Sequence, residues 1–281
     1  MSSFRKIQNI IMLSAIWSVA FIAIIPLMLV FFYVLQKGMP AIDLNFFTQL
    51  PAPVGQTGGG MANALLGSTV MISLAAIFGV PMGILGGAYL SEFGSGKTAT
   101  ALRFSIDMLA SVPSIIVGLF IYTIIVMPMK AFSAWAGAAA LFVIMIPIIA
   151  KTTEEVLKLT PAHIREAGLA LGIPRWRVIL SIVIRGAKGP IATGVILAIA
   201  RVAGETAPLL FTAFGSRFWL TSLNEPVASL PVQIYQYAIS PFEEWHRQAW
   251  AGALLLVVVV FFTNIGTRLL LRGNGGQASR R

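Results

Sequence analysis

Two opposite charges stand in an otherwise apolar run. Within 190–211, Arg201 is followed four residues on by Glu205. In a helix that spacing puts both side chains on one face, a turn apart. Arg201 lies roughly 16 Å from Pro190 along a helix axis. A charge at such depth in a bilayer costs about 2.5 to 3.5 kcal/mol even on lenient insertion scales, so it needs a partner or a polar path. One reading is a structural ion pair that holds a helix bundle together. The other is a site on an anion pathway, with Glu205 tempering a positive charge that would otherwise bind too tightly to release. Thr206 and Thr212 add hydroxyls, either as donors to an anion or bonded back onto their own helix. Pro208 frees a carbonyl about one turn earlier, near Gly204. Gly204 and Pro208 together mark a hinge or a helix crossing.

The second group lies in the segment 151–189. Thr160 and Pro161 read as a helix N-cap followed by proline at the first helical position. Glu166, Ala167, Gly168 and Ala170 form a short helical stretch of mostly small residues, and Gly172 and Pro174 end it. A short helix between two turns suits insertion into a groove on a partner. An ordinary basic connecting loop fits the composition equally well.

Other chemistry is poorly supported. There is no cysteine, which excludes disulfides and thiolate metal sites. His163 and His246 are far apart in the chain. Gly94-Ser95-Gly96-Lys97-Thr98 looks like the end of a phosphate-binding P-loop, but the glycine required five residues before Gly96 is Ser91. Lys97 therefore reads as a basic loop residue. No paired acids, Ser/His arrangement or metal-ligand set suggests catalysis. Asp107 reads as an edge residue paired with Arg103 at i−4, and Glu92 as solvated.

The elements that carry these residues follow from composition. Of 281 residues, 57% are hydrophobic and only 11% charged, against about 25% charged in soluble domains. Mean hydropathy is +0.86. A soluble fold of this length could not hide that surface, so lipid is the solvent. A spanning helix needs roughly 20 mainly apolar residues. Six stretches qualify, at about 10–35, 63–90, 104–127, 135–150, 190–211 and 250–271. The first is too long for a cleaved signal core and reads as a retained span. The net charge of +10 would suggest nucleic acid in a soluble protein. Here its distribution sets orientation. Lys151, Lys158, Arg165, Arg175, Arg177, Arg185 and Lys188 crowd one loop, on the same side as Arg5, Lys6, Lys97, Arg103 and the C-terminal arginines. Only Lys37, Lys130, Arg217 and Arg247 fall on the other side. The bias places both termini in the cytoplasm. The tail 273–281 is polar and expected to be disordered.

Glu166-Ala167-Gly168, with Gly172 after three intervening residues, resembles the EAA loop of ABC-importer permeases. Gly168 stands where a second alanine is usual. The run from Ala200 to Ala213 is similar to the phosphate-specific permease subunits of that class. So are 58–65, the stretch SVPSIIVG at 111–118, Leu230-Pro231, Ser240-Pro241-Phe242 and Trp250-Ala251-Gly252. The resemblance implies an all-α polytopic membrane protein with six transmembrane helices in the type I ABC-importer permease architecture. It implies a permease subunit of an ATP-driven importer of inorganic phosphate, sited in a bacterial inner membrane. The implied partners are a homologous second permease, two copies of an ATP-binding subunit and an external phosphate-binding protein. ATP hydrolysis would belong to a partner, with no cofactor or metal in this chain and no nucleic acid bound. Arg201, Glu205 and Thr206 would line the pathway. Arg165, Glu166, Ala167, Gly168, Gly172 and Pro174 would couple to the ATPase. Lys151, where the family commonly has arginine before the paired threonines, is a second charged candidate. The rival from another class is a proton-coupled secondary anion carrier that works without an ATPase.

Overall fold

The computed structural model describes residues 3–56 and 58–275. Among these residues the fold is helical, and the one extended pairing is an isolated bridge between Pro51 and Gly59. In chain order the main helices are α1 (Ser3–Gly38), α2 (Ala62–Glu92), α3 (Lys97–Ser111) and α4 (Ser114–Ile121). A π turn carries α4 on to Met129. Then come α5 (Ala134–Lys158), α6 (Ala162–Ala170), α7 (Arg175–Val178), α8 (Lys188–Ala203) and α9 (Ala207–Thr212). The last two are α10 (Leu230–Ala238) and α11 (Glu243–Gly275). A π turn also extends α7 to Gly186.

Helices α1, α2, α5 and α11 are each long and apolar enough to cross a bilayer. Two bent pairs bring the candidate spans to six when each pair is counted as one broken span. Helices α3 and α4 meet at 103°, and extended α7 meets α8 at 74°. The stretch 104–127, expected as one span, thus straddles a sharp corner. The cause is Pro113, which lacks an N–H and pushes Val112 to extended backbone at φ −66°, ψ 129°. The stretch 190–211 is likewise two helices, broken over Gly204–Thr206. Residues 273–275 continue α11, and the rest of the expected polar tail lies outside the described residues.

The core forms where α2 lies along α5. Between membrane helices the drive is close packing rather than water exclusion, so small residues decide the fit. Gly79, Gly83 and Gly87 of α2 stack one turn apart and face α5. A Cβ on Gly79 would meet the Met145 sulfur at 3.3 Å, and one on Gly83 would meet Ile149 Cβ at 2.7 Å. One on Gly87 would run into the Ala150 carbonyl. These pairings rise together in number, so α2 and α5 run in the same direction. Helix α8 crosses α5 where Gly194 faces Thr152, and α4 crosses α9 where Gly118 faces Pro208. Met71, Leu141, Met145, Val202 and Leu209 fill the space between.

A smaller core closes the opposite end from the basic loops. It joins Phe46, Met61, Leu230, Tyr237 and Ala251. Side-chain bonds clasp it: Asn63 donates to the Ser216 carbonyl (2.6 Å), Gln248 to the Gly58 carbonyl (2.7 Å), and Ser68 accepts from the Leu230 amide (2.7 Å). Helix α1 stands largely apart. It touches the bundle near its end, through Tyr33 edge-on to Trp250 (5.2 Å) and Gly38 against Trp250 and Leu254.

Candidate functional site

Two regions hold the residues singled out above. The first is the break between α8 and α9. Helix α8 closes with the Gly204 and Glu205 amides donating to the Arg201 and Val202 carbonyls, both at 3.2 Å. Pro208 could not donate to the Gly204 carbonyl in a continuous helix. The chain instead starts again at Ala207, so Pro208 falls in a first turn, where its missing N–H costs nothing. Thr206 is the residue before that turn, and its carbonyl accepts from the Leu210 amide (3.2 Å). A Cβ on Gly204 would meet only the Arg201 carbonyl of its own helix, at 3.8 Å, so Gly204 marks the helix break, while the close crossing belongs to Pro208 on Gly118. Thr212 is fully buried and bonds back to the Pro208 carbonyl (2.8 Å).

Arg201 projects from the last turn of α8 with 62% of its side chain exposed, whereas Glu205 is 16% exposed. Their closest approach, Nε to Oε1, is 3.9 Å. That is too long for a hydrogen bond. The guanidinium keeps its donors free for something else. Leu197, Arg201 and Gly204 form one exposed stripe along this helix. A bundle-holding ion pair would be short and buried on both sides, and this one is neither.

The second region is the end of the bundle where α2, α3, α5 and α6 meet. Arg165 of α6 turns inward. It forks onto Glu92 with Nε 2.9 Å from both carboxylate oxygens and Nη2 2.6 Å from Oε1. Its remaining donors cap α5, reaching the Thr160 carbonyl (2.6 Å) and the Leu157 carbonyl (2.8 Å). Glu92 is therefore not solvated: its side chain is only 4% exposed. A carboxylate buried this deeply must be paired. Arg175 adds a bond to the Glu92 carbonyl (2.5 Å) and lies over the Phe93 ring.

Two further ion pairs brace α3 on α5. Arg103 donates to Glu154 (2.7 and 2.9 Å), which also accepts from Lys158 (2.6 Å). Asp107 accepts from Lys151 (2.8 Å). The expected Arg103–Asp107 pair does not form. Both point at α5, where Lys151 and Glu154 offer opposite charges in reversed order along an antiparallel neighbour. Lys151 thereby serves a half-exposed cross-helix bridge. The Glu154 cluster was missed in the sequence, although an acid inside a candidate inner-edge helix was itself a signal.

Helix α6 presents Glu166, Ala167 and Leu169 outward, with Leu171 and Trp176 beside them. Gly168 faces inward, where a Cβ would come within 3.0 to 3.2 Å of Val178 and Ile182. The helix begins one residue later than expected, with Pro161 rather than Thr160 at its N-cap and no side-chain cap. It ends as expected. Gly172 sits at φ +73°. Its amide donates to Leu169 (2.9 Å) and the Ile173 amide reaches back to Gly168 (3.3 Å), the paired bonds of a Schellman turn. Pro174 then opens α7 as its N-cap. No group of three or more His, Cys, Asp or Glu side chains could hold a metal among the described residues.

The pattern of binding-protein-dependent transport system inner membrane components matches residues 79–274. The chain belongs to this family. The permease is 48% identical over 242 residues to the phosphate transport system permease protein PstA of Xylella fastidiosa, covering 85% of this chain and 84% of that one. It is 45% identical to the Yersinia pestis protein of the same name (95% and 91% covered). It is 35% identical to a probable phosphate transport system permease protein PstA of Methanocaldococcus jannaschii (95% of both). Among solved structures, a MetNI methionine ABC transporter in an inward-facing conformation aligns with TM-score 0.58 at 18% identity, over 76% of this chain and 94% of that one. At that identity the likeness concerns the fold, which is that of an ABC-importer permease. The permease is thus a multi-pass inner-membrane subunit of a larger transporter. The alternative of a carrier working alone gives way to this membership.

Proposed function

We propose that this permease forms one wall of the pathway through which an ATP-driven importer moves inorganic phosphate inward. The relatives named for phosphate transport, at 45 to 48% identity over most of the chain, support the substrate. The observation that carries the role of this chain is Arg201: a cation in the last turn of an apolar helix, at the break that follows it, largely exposed and only loosely held by Glu205. A cation in that setting needs a polar conduit, not lipid. A second, homologous permease would cover the exposed stripe and enclose the conduit, with Thr206 and Glu205 beside it.

Two copies of an ATP-binding subunit would dock below, one of them on the outward face of α6. An external phosphate-binding protein would meet the opposite end, around α10. Both termini then lie in the cytoplasm with the basic loops. When ATP closes the partner subunits, α6 moves with them. Arg165 passes that motion to α2 and α5 through Glu92 and the Leu157 and Thr160 carbonyls. The spans switch between inward- and outward-open states, whose balance the nucleotide shifts. Arg165 is thus a positioning residue behind the docking face that Glu166, Ala167 and the Gly172–Pro174 turn present.

The test is Arg201→Ala in the full complex reconstituted in proteoliposomes. Phosphate uptake is expected to vanish while all subunits still co-purify. If the complex falls apart instead, the pair with Glu205 is structural and the pathway assignment fails.

A further inference from the structure

Beyond α9, the chain turns sharply through Phe214–Arg217 and leaves a cavity of about 190 Å³ against α10. Arg217, Ser229, Gln233, Gln236, Tyr237 and Trp245 are among its lining residues, and no carboxylate is. The Arg217 guanidinium lies 5.1 Å over the Trp245 ring and makes no ion pair among the described residues. Ser229 is 1% exposed, and its hydroxyl has no hydrogen-bond partner among the described residues. A buried hydroxyl left without a partner is costly, and this one has a proton that no described residue accepts. Gln233, 5% exposed, donates to the Tyr237 oxygen (3.2 Å), which leaves the phenol proton free to donate onward. Burial pushes the Tyr237 phenol above its ordinary value, so it stays protonated at neutral pH. The wall offers one cation, the amide donors of Gln233 and Gln236 and the hydroxyls of Ser229 and Tyr237, and no anionic group. That set fits a small oxyanion.

We propose that this cavity is a receiving site for a single small oxyanion, held by Arg217 and by the neutral donors Ser229, Tyr237 and Gln236. The proposal rests on the reading of the chain as a phosphate permease whose α10 end faces outward. Along the chain, helix α9, about 9 Å long, and Ala213 separate the lining residue Phe214 from Thr206. An anion released above the membrane would be caught here and passed to Arg201. A site with one cation and no carboxylate captures readily, and Glu205 deeper in favours release.

The absence of cysteine supplies the experiment. Ser216→Cys places a single thiol of this chain in the cavity wall, read in the complete transporter in intact membranes. Two membrane-impermeant methanethiosulfonates are compared, one bearing a sulfonate and one a trimethylammonium. After correction for their reactivity with a free thiol, the sulfonate is expected to react at least 5-fold faster. Inorganic phosphate at millimolar concentration should slow both reagents. In an Arg217→Gln background the preference should fall to near unity and the protection should disappear. Ser229→Ala should weaken protection while keeping the preference, and protection by sulfate as well would support an oxyanion site. Equal labelling by the two reagents, a preference indifferent to Arg217→Gln, or no protection by phosphate would each overturn the site. The labelling reads binding and not transport, so its failure is distinct from phosphate uptake surviving in Arg201→Ala.

Discussion

The link between α6 and the spans can be broken at one residue. Arg165→Ala removes three bonds to Glu92 and two to the end of α5, and it leaves a carboxylate that is 4% exposed without a counter-charge. Breaking a buried pair from one side costs about 3 to 5 kcal/mol, because the stranded charge dominates the loss. Arg165 itself is 23% exposed, so water entering the vacated space recovers part of this, and about 3 kcal/mol is the expected figure. A second substitution separates the stranded charge from the lost contacts. In Arg165→Ala/Glu92→Gln the charge is gone and only ordinary hydrogen bonds are missing. The double variant should therefore be more stable than Arg165→Ala alone, by about 1 to 2 kcal/mol. The assay is a double-mutant cycle on the purified complex. It reads the denaturation midpoint of the permease and the fraction of ATP-binding subunit retained. Arg165→Lys should behave like a partial loss, since an ammonium cannot fork onto the carboxylate and reach both carbonyls. If the double variant is worse than Arg165→Ala by the full effect of Glu92→Gln, the two residues act independently. The account of α6 anchoring would then be wrong.

Other outcomes follow from the same contacts. Glu166→Lys changes an exposed residue on the outward face of α6, so the protein should insert and assemble normally while phosphate uptake is lost; normal uptake in vesicles would remove Glu166 from the coupling face. Gly172→Ala forces an alanine to φ +73°, at a cost of about 1 to 2 kcal/mol, and Gly172→Asn should cost less. Co-purification of the ATPase would rank them. Gly83→Val puts a branched side chain where Ile149 Cβ lies 2.7 Å from an ideal Cβ. It should separate α2 from α5 and expose the permease to proteolysis, whereas Gly86→Ala, with only the Ala150 Cβ at 4.0 Å, should be silent.

Much of this arrangement was legible in the sequence, because lipid imposes a strict length and polarity on each span. The Gly172 stop was readable, since a left-handed residue after a short helix needs glycine. The helix break near Gly204 was visible through Pro208, although not which of the two residues another helix crosses. That choice depended on Gly118, a distant residue whose partner no local pattern reveals. Pro113 was seen as an interruption, but its 103° consequence depends on how α3 and α4 pack elsewhere. The charge pairs were the least readable. Spacing put Arg103 beside Asp107, and the helix geometry is correct, but a neighbouring helix with its own acid and base competed and won. Glu92 looked solvated because its partner is Arg165, far along the chain. The glycines at 79, 83 and 87 were in plain view at a four-residue spacing, and that spacing was itself the signal for the seam with α5.

Helix α1 carries a further consequence. Residues 4–33 are exposed along their whole length, and contact with the bundle begins only near Val34 and Gly38. Apart from any partner subunit, those turns are read by the acyl chains alone, and acyl chains distinguish hydrophobicity and length but not the order of letters. Exchanges among leucine, isoleucine, valine and phenylalanine over most of that stretch leave the packing of the described bundle unchanged. At Gly38 a single methyl would collide with the Trp250 carbonyl and the Leu254 side chain. The helix is thus written in two vocabularies, a permissive one for the solvent and a strict one for the joint.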